Sequence, residues 1–428
     1  MTAQFHPSRR AALLSAASLG VSVCFVGRRA FAASEGAMER RRLVVFICRG
    51  AMDGLSLSPP LGDANYAALR GEIAIAGFGQ PGGALKLDDT FGLHPKLVAV
   101  HALALKGEAR IAPAVATPDR ARSHFEAQDV LETGTSAVYA QSSGWLNRAM
   151  QAAGPAGKIQ ALSVGGQAPL ILRGPIQAAS WSPGGYKDHD ARLPAILADL
   201  YASDPLLGPA LASGLQTEAM ATIANSASQT PADATAMAAP QPMTAAPPAT
   251  FAGYQHAGQD AARTLGATVA HFITEPGGPQ IVAISLENFD THANQGTAEG
   301  QLANRLAYLD AAIDGLSSGL GTEWSNTVVL VATEFGRTVR VNGTKGTDHG
   351  TGSTALVLGG GLKRGGLIGD WPTLKETKLF ENRDTWPATD MRALFKGVLA
   401  DHLGLGRRAL DTTVFPDSAA VEPLRGIV

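Results

Sequence analysis

The sequence predicts an α/β protein, a three-layer α/β/α sandwich around a mostly parallel sheet. Three observations carry that reading. Short unbroken apolar runs such as Leu43–Cys48 suit strands covered on both faces. Segments with apolar residues every three or four positions lie between those runs, as helices do. Polar clusters recur where the runs end, the place where open α/β sheets bind ligands.

Taken in order, Leu43-Val44-Val45-Phe46-Ile47-Cys48 is the first strand, Ile111 to Ala116 the second and Ile159 to Val164 a third. Ile281 to Leu286, Thr327 to Ala332 and Ala355 to Leu358 follow. Ala257, Ala261, Leu265, Val269 and Phe272 give one apolar face to a helix over 255–274. Leu302, Leu306, Leu309 and Ile313 do the same before the Thr327 strand, and Met391, Leu394, Phe395, Val398 and Leu399 mark a last helix. Ser123-x-x-Glu126 reads as a capping box that starts a helix at about 124. His101 and His271 fall in helical stretches as ordinary helix residues, and Gly359-Gly360-Gly361 reads as a turn.

Composition narrows the function. Of 428 residues, 45% are apolar and only 17% charged, which excludes wholesale disorder. A formal charge of -2 with no basic stripe excludes a nucleic-acid binder. Past residue 35 no apolar run is long enough to span a membrane. Two cysteines, Cys24 and Cys48, make no disulfide scaffold, and Cys48 reads as a buried strand residue. At the start, Arg9-Arg10 precede a short apolar run, and Ala30-Phe31-Ala32 offers a cleavage site. This is the layout of a twin-arginine signal over 1–32, so the expected partner during export is the twin-arginine machinery. The mature chain, shorn of four arginines, is then an acidic periplasmic or secreted protein without a stable membrane span. One domain is expected over 40–415. An Ala-, Pro- and Thr-rich stretch at about 225–250 reads as a flexible insertion.

The candidate site residues sit at strand ends. Arg49 to Gly54 follows the first strand and holds Asp53. Thr117 to Glu126 follows the second and holds Arg122, Ser123 and His124. Glu287 to His292, Thr333 to Thr338 and Asp348-His349-Gly350 complete the set. Asp290 and His292 are two apart, so in extended chain both face one side and suit a single cation. Ser123 at a helix start sits where amides and positive potential gather, beside Arg122 and His124, and is a candidate nucleophile as well as a cap. Arg49 and Arg337 carry the planar, paired donors that bind oxyanions.

Leu43–Gly54, Arg122–Gly134, Phe289–Gln295 (FDTHANQ), Thr333–Thr338 (TEFGRT) and Thr347–Gly361 together resemble an exported family, domain of unknown function 1501. That family is similar in outline to the alkaline phosphatase and sulfatase superfamily, which implies an alkaline phosphatase-like sandwich with metal at the strand ends. The resemblance implies Ser123 as nucleophile, and Asp53, Asp290, His292 and His349 as metal ligands. Glu334 stands where the superfamily carries an Asp-His pair, the 290–292 spacing is shorter than usual, and the sulfatase signature is absent. One divalent ion or none is therefore expected rather than two.

The resulting expectation is a metal-dependent hydrolase of a small anionic phosphate or sulfate ester. Its catalytic residues would be Ser123, His124, Arg122 and Arg337, and its metal residues Asp53, Asp290, His292, Glu334 and His349. The alternative is a non-catalytic descendant that binds an envelope ligand or partner.

Overall fold

The computed structural model describes residues 40–154, 161–165, 169–182 and 251–428, with a few isolated positions between 201 and 217. The twin-arginine segment and the 225–250 stretch lie outside the described residues. The chain divides into Met1–Arg41 and a compact unit, Arg42–Val428, and it is the second that carries the fold.

Its strands are β1 (Arg42–Cys48), β2 (Leu85–Lys86), β3 (Gly92–Leu93), β4 (Ala109–Ala116), β5 (Ala161–Val164), β6 (Ala178–Trp181), β7 (Ile281–Leu286), β8 (Thr327–Ala332), β9 (Ser353–Leu358), β10 (Gly366–Leu367) and β11 (Thr389–Asp390). The helices are α1 (Gly54–Leu57), α2 (Tyr66–Arg70), α3 (Val98–Leu105), α4 (His124–Thr133), α5 (Trp145–Ala153), α6 (Phe251–Thr274), α7 (Gln301–Leu320) and α8 (Met391–Leu403). Strand order in the nine-stranded sheet is β10-β4-β9-β8-β1-β7-β5-β6, with β11 beside the end of β4. The pairs of β1 with β7 and with β8 are parallel, whereas β9 runs antiparallel between β4 and β8. The expected mostly parallel sheet, flanked by helices, is therefore present.

β1 is apolar from Leu43 to Cys48 because it is covered on both sides. Val44, Phe46 and Cys48 join the core formed with α3, α6 and α7. Leu43, Val45 and Ile47 point the other way by strand alternation and are equally buried. Among the remaining helices, Trp145 of α5 stacks on Phe395 of α8 at 4.9 Å, and its indole donates to the Leu131 carbonyl of α4 at 3.1 Å. Cys48 is buried as expected, and burial pushes its thiol pKa up. The compact unit does not stop at 415. Buried Lys396 holds the tail through Asp411 and the Ser418 carbonyl, and Ile427 is fully buried.

The direction of β9 positions the site. Val115 near the end of β4 pairs with Ser353 at the start of β9. The segment that enters β9 thus shares an edge with the segments that leave β1, β4, β7 and β8. Five stretches far apart in sequence meet there.

One contact ties the helical layer together. The first residue before α3, Leu97, has no side chain able to cap it, and Asp310 of α7 supplies the acceptor instead. Its two oxygens accept from the amides of Ala99 (3.0 Å) and Val100 (2.9 Å). Burial raises its pKa to about 6 in spite of those bonds. Asp310→Ala leaves both amides without an acceptor and should cost about 1–3 kcal/mol in urea unfolding. An acid with a raised folded pKa holds its extra proton from about pH 4 to pH 6. Stability from Asp310 falls as pH rises through that window, so the deficit of the variant should shrink there. A deficit that grows with pH would refute the assignment.

Candidate metal centre at the strand ends

Each histidine of the cluster arrives from a different strand end. His124 opens α4, which follows β4; Asp290 and His292 follow β7; His349 precedes β9. The loops pack backbone against backbone to bring them in. Gly50, at φ +106°, would place a Cβ 2.6 Å from the amide of Asp290, so no side chain fits there. A Cβ on Gly350 would lie 2.4 Å from the Arg337 carbonyl carbon, where a bridge pairs Arg337 with His349.

The imidazoles are turned by what stands behind them. His124 Nδ1 lies 2.9 Å from Glu334 Oε1, and His349 Nδ1 lies 2.9 Å from the carbonyl of Arg122. Both acceptors lack hydrogens, so both Nδ1 atoms carry the proton; the tautomers follow from this network. His292 Nδ1 faces Asp348 Oδ1 at 3.4 Å. All three rings consequently present Nε2 to a common point. His349 Nε2 is 3.0 Å from His124 Nε2 and 3.0 Å from His292 Nε2. Asp290 lies 3.0 Å from His292 Nε2, 3.3 Å from His349 Nε2 and 3.4 Å from His124 Nε2.

Lone pairs facing each other at 3.0 Å repel unless a cation lies between them. A proton is one such cation. The hydrogen bond to Glu334 raises the His124 pKa against burial, whereas burial and charged His124 lower that of His349. A proton shared by the pair would thus sit on His124. A metal ion is the other choice. Ligand atoms of His124, Asp290 and His349 all lie within 4.8 Å of one another. Imidazole nitrogens with one carboxylate, each ring backed by an outer oxygen, fit a borderline transition ion such as zinc. His292 is 45% exposed and Glu334 fully buried, so the cluster opens to solvent on the His292 side.

The other expected site residues are placed differently. Asp53 caps α1 and is no ligand. Its Oδ2 is taken by Arg70, Ser56 (2.8 Å) and Gln295 (2.7 Å), and its Oδ1 by the Leu55 amide. Burial pushes its pKa up, but Arg70 and those donors win and lower it. Glu334 is an outer partner, since its oxygens accept from His124, the Gly50 amide (2.8 Å), Gln128 (3.2 Å) and Thr333 (2.9 Å).

None of the three arginines expected at the site is free. Arg337 is buried, donating to Asp290 Oδ1 at 2.6 Å and to the hydroxyl and carbonyl of Thr347. Burial would raise the Asp290 pKa, but Arg337 together with His292 and His349 lowers it. Arg122 pairs with Asp384 (2.8 Å) and Glu381 (2.6 Å), and it serves His349 through its carbonyl from a left-handed φ of +57°. Arg49 is likewise paired, with Glu132 at 2.7 Å.

Ser123 precedes α4 as expected, yet its side chain makes no capping bond, so the capping box does not form. Asp348 belongs to the expected Asp348-His349-Gly350 cluster and faces His292. Gln128 and Asp384 were not anticipated as parts of this site, and nothing local marks them.

A family model described as "Protein of unknown function (DUF1501)" matches residues 40–414. The chain belongs to the DUF1501 family. No curated protein matches it in sequence. The DUF1501 chain is similar to Ps i-CgsB in complex with k-i-k-neocarrahexaose, at 8% identity and TM-score 0.39, over 90% of this chain and 77% of that one. It is also similar to the phosphonate monoester hydrolase of Agrobacterium radiobacter, at 12% identity and TM-score 0.36, over 86% and 74%. A third is the C-terminal periplasmic domain of EcEptC from Escherichia coli in complex with Zn, at 9% identity and TM-score 0.30, over 75% and 73%. None of these likenesses assigns a role to a residue of the DUF1501 chain. Among the described residues no helix is long and apolar enough to cross a membrane.

In metal-free protein, Glu334→Gln removes the carboxylate that raises the His124 pKa. The His124 ring should then titrate lower, read by NMR. Because the folded pKa is raised above 6.5, the stability it adds is complete below that value and lost as pH rises through the raised one. Glu334→Gln should flatten that loss; an unchanged His124 titration would exclude the coupling.

Proposed function

We propose that the DUF1501 chain is an exported, metal-dependent hydrolase of a phosphate, sulfate or related ester, with Ser123 as its nucleophile. The observation that carries this reading is the convergence of three imidazole nitrogens and the Asp290 carboxylate at one solvent-open point. Export rests on the Arg9-Arg10 segment, which would engage the twin-arginine machinery and deliver the chain to the periplasm or beyond.

His124, His349 and His292 would offer Nε2 to a divalent cation, and Asp290 a carboxylate oxygen. Such an ion, when bound, lowers the pKa of a nearby hydroxyl and stabilises charge developing on an ester. Glu334 and the Arg122 carbonyl keep the Nδ1 protons in place, so the rings cannot turn their lone pairs away. Arg337 fixes Asp290 from behind. Ser123 is half-buried, uncommitted as a cap and adjacent in sequence to His124. It stands at the N-terminus of the ten-residue α4, whose unpaired amides favour an approaching anion.

The pairing of Arg49, Arg122 and Arg337 favours a second reading. With none of these three guanidiniums free to grip an anionic group, the same centre would serve a non-catalytic protein that binds a ligand or partner in the cell envelope.

Elemental analysis of the purified chain, with assays on aryl phosphates and sulfates, separates the two. Hydrolysis predicts stoichiometric metal, its loss in a folded His349→Ala variant, and a fall in kcat of roughly 10⁴-fold or more for Ser123→Ala with metal retained. Metal-bound protein that hydrolyses neither ester supports the binding reading, and metal-free protein removes the centre altogether.

A further inference from the structure

We propose that the hydroxyl of Thr347 is a positioning group for Asp290, the near end of a buried relay that starts at Asp53. The inference rests on the reading of the histidine cluster as a cation site. Thr347, Gln295, Asp53 and Arg70 are all fully or almost fully buried, and none of them belongs to the cluster itself.

The relay has one possible polarity. Arg337 can only donate, and its Nε gives a hydrogen bond to Thr347 Oγ1 at 3.1 Å. The Thr347 hydroxyl then spends its own proton on Gln295 Oε1 at 2.8 Å, where the Thr291 hydroxyl also donates at 2.9 Å. Two donors on one oxygen fix the amide, so Gln295 Nε2 points at Asp53 Oδ2, 2.7 Å away. Asp53 is in turn held by Arg70. Reversing any one bond would set two donors or two acceptors face to face.

The free end of the chain is Arg337 Nη1, 2.6 Å from Asp290 Oδ1. With Nε on the Thr347 hydroxyl and Nη2 on the Thr347 carbonyl at 2.5 Å, the guanidinium plane is set at two points. A planar fork fixed at two points has only one direction left for Nη1. That direction holds the Asp290 carboxylate against the three rings. Asp53, expected as a ligand, thus acts on the centre from several residues behind it.

The test measures zinc affinity of the full chain, by competition with a chelating dye, with circular dichroism confirming folding. Thr347→Ser keeps the hydroxyl and Thr347→Ala loses it, while both lose the same methyl group. Thr347→Ala should weaken zinc binding by about tenfold, the scale seen when an outer partner of a metal ligand is removed. Thr347→Ser should stay within about twofold of the parent chain, well short of that scale. Equal affinity in the alanine variant and the parent overturns the relay and leaves the cation site standing. Equal weakening in both variants also overturns it, since packing and not the hydroxyl would then be responsible. A parent chain that binds no zinc, manganese or iron overturns the cation site and this inference with it.

Discussion

Two imidazole nitrogens 3.0 Å apart, each with its lone pair toward the other, set the terms for everything around them. Such a contact is repulsive by itself. It is maintained because the opposite edge of each ring is pinned by an oxygen that accepts the Nδ1 proton, the buried carboxylate of Glu334 for His124 and the Arg122 carbonyl for His349. A ring freed from its acceptor could flip and relieve the repulsion. The outer hydrogen bonds therefore do more than decorate the site: they hold a local electrostatic deficit that only a cation removes.

The sheet makes such a deficit possible. A parallel sheet gathers side chains only from loops after its strands, and here those loops deliver His124, Asp290, His292 and Glu334. His349 comes from the other direction, on the segment that leads into antiparallel β9. One reversed strand thus adds an imidazole from the opposite chain sense to the same edge. The approach is close because Gly50 and Gly350 let backbone meet backbone where any Cβ would intrude. Without those contacts the loops would stand apart and the rings would not reach.

This anatomy explains which parts were legible in the sequence. Apolar runs located six of the strands, and Asp290, His292 and His349 were readable because strand ends are where an α/β sheet places its chemistry. Residue type and position do not, however, reveal a partner. Arg122 looked like an anion receptor until Asp384 and Glu381 were found on its guanidinium. Asp53 looked like a ligand, but Arg70, Ser56 and Gln295 saturate one of its oxygens. Glu334 stands behind His124, on its Nδ1, a placement hidden from the sequence because a carboxylate beside a histidine reads the same whether it binds an ion or an Nδ1 proton. The orientation of β9 was equally hidden, since an apolar run has no direction.

Formal charge gives the last constraint. Asp53 is cancelled by Arg70, Asp384 by Arg122 and Asp290 by Arg337, each through a direct ion pair. Glu334 and Asp348 remain, and both lie on the outer sides of histidines, with no guanidinium hydrogen-bonded to either among the described residues. Arg383 acts on Asp348 through space, so with neutral rings the negative charge behind the histidines is only partly cancelled, and one divalent ion would more than offset it. A second would add two positive charges where every other nearby carboxylate is already paired, and dislodging a buried guanidinium to free one would leave that guanidinium uncompensated. The electrostatics therefore favour a single ion, as did the departures from the two-metal pattern, but for a reason of their own.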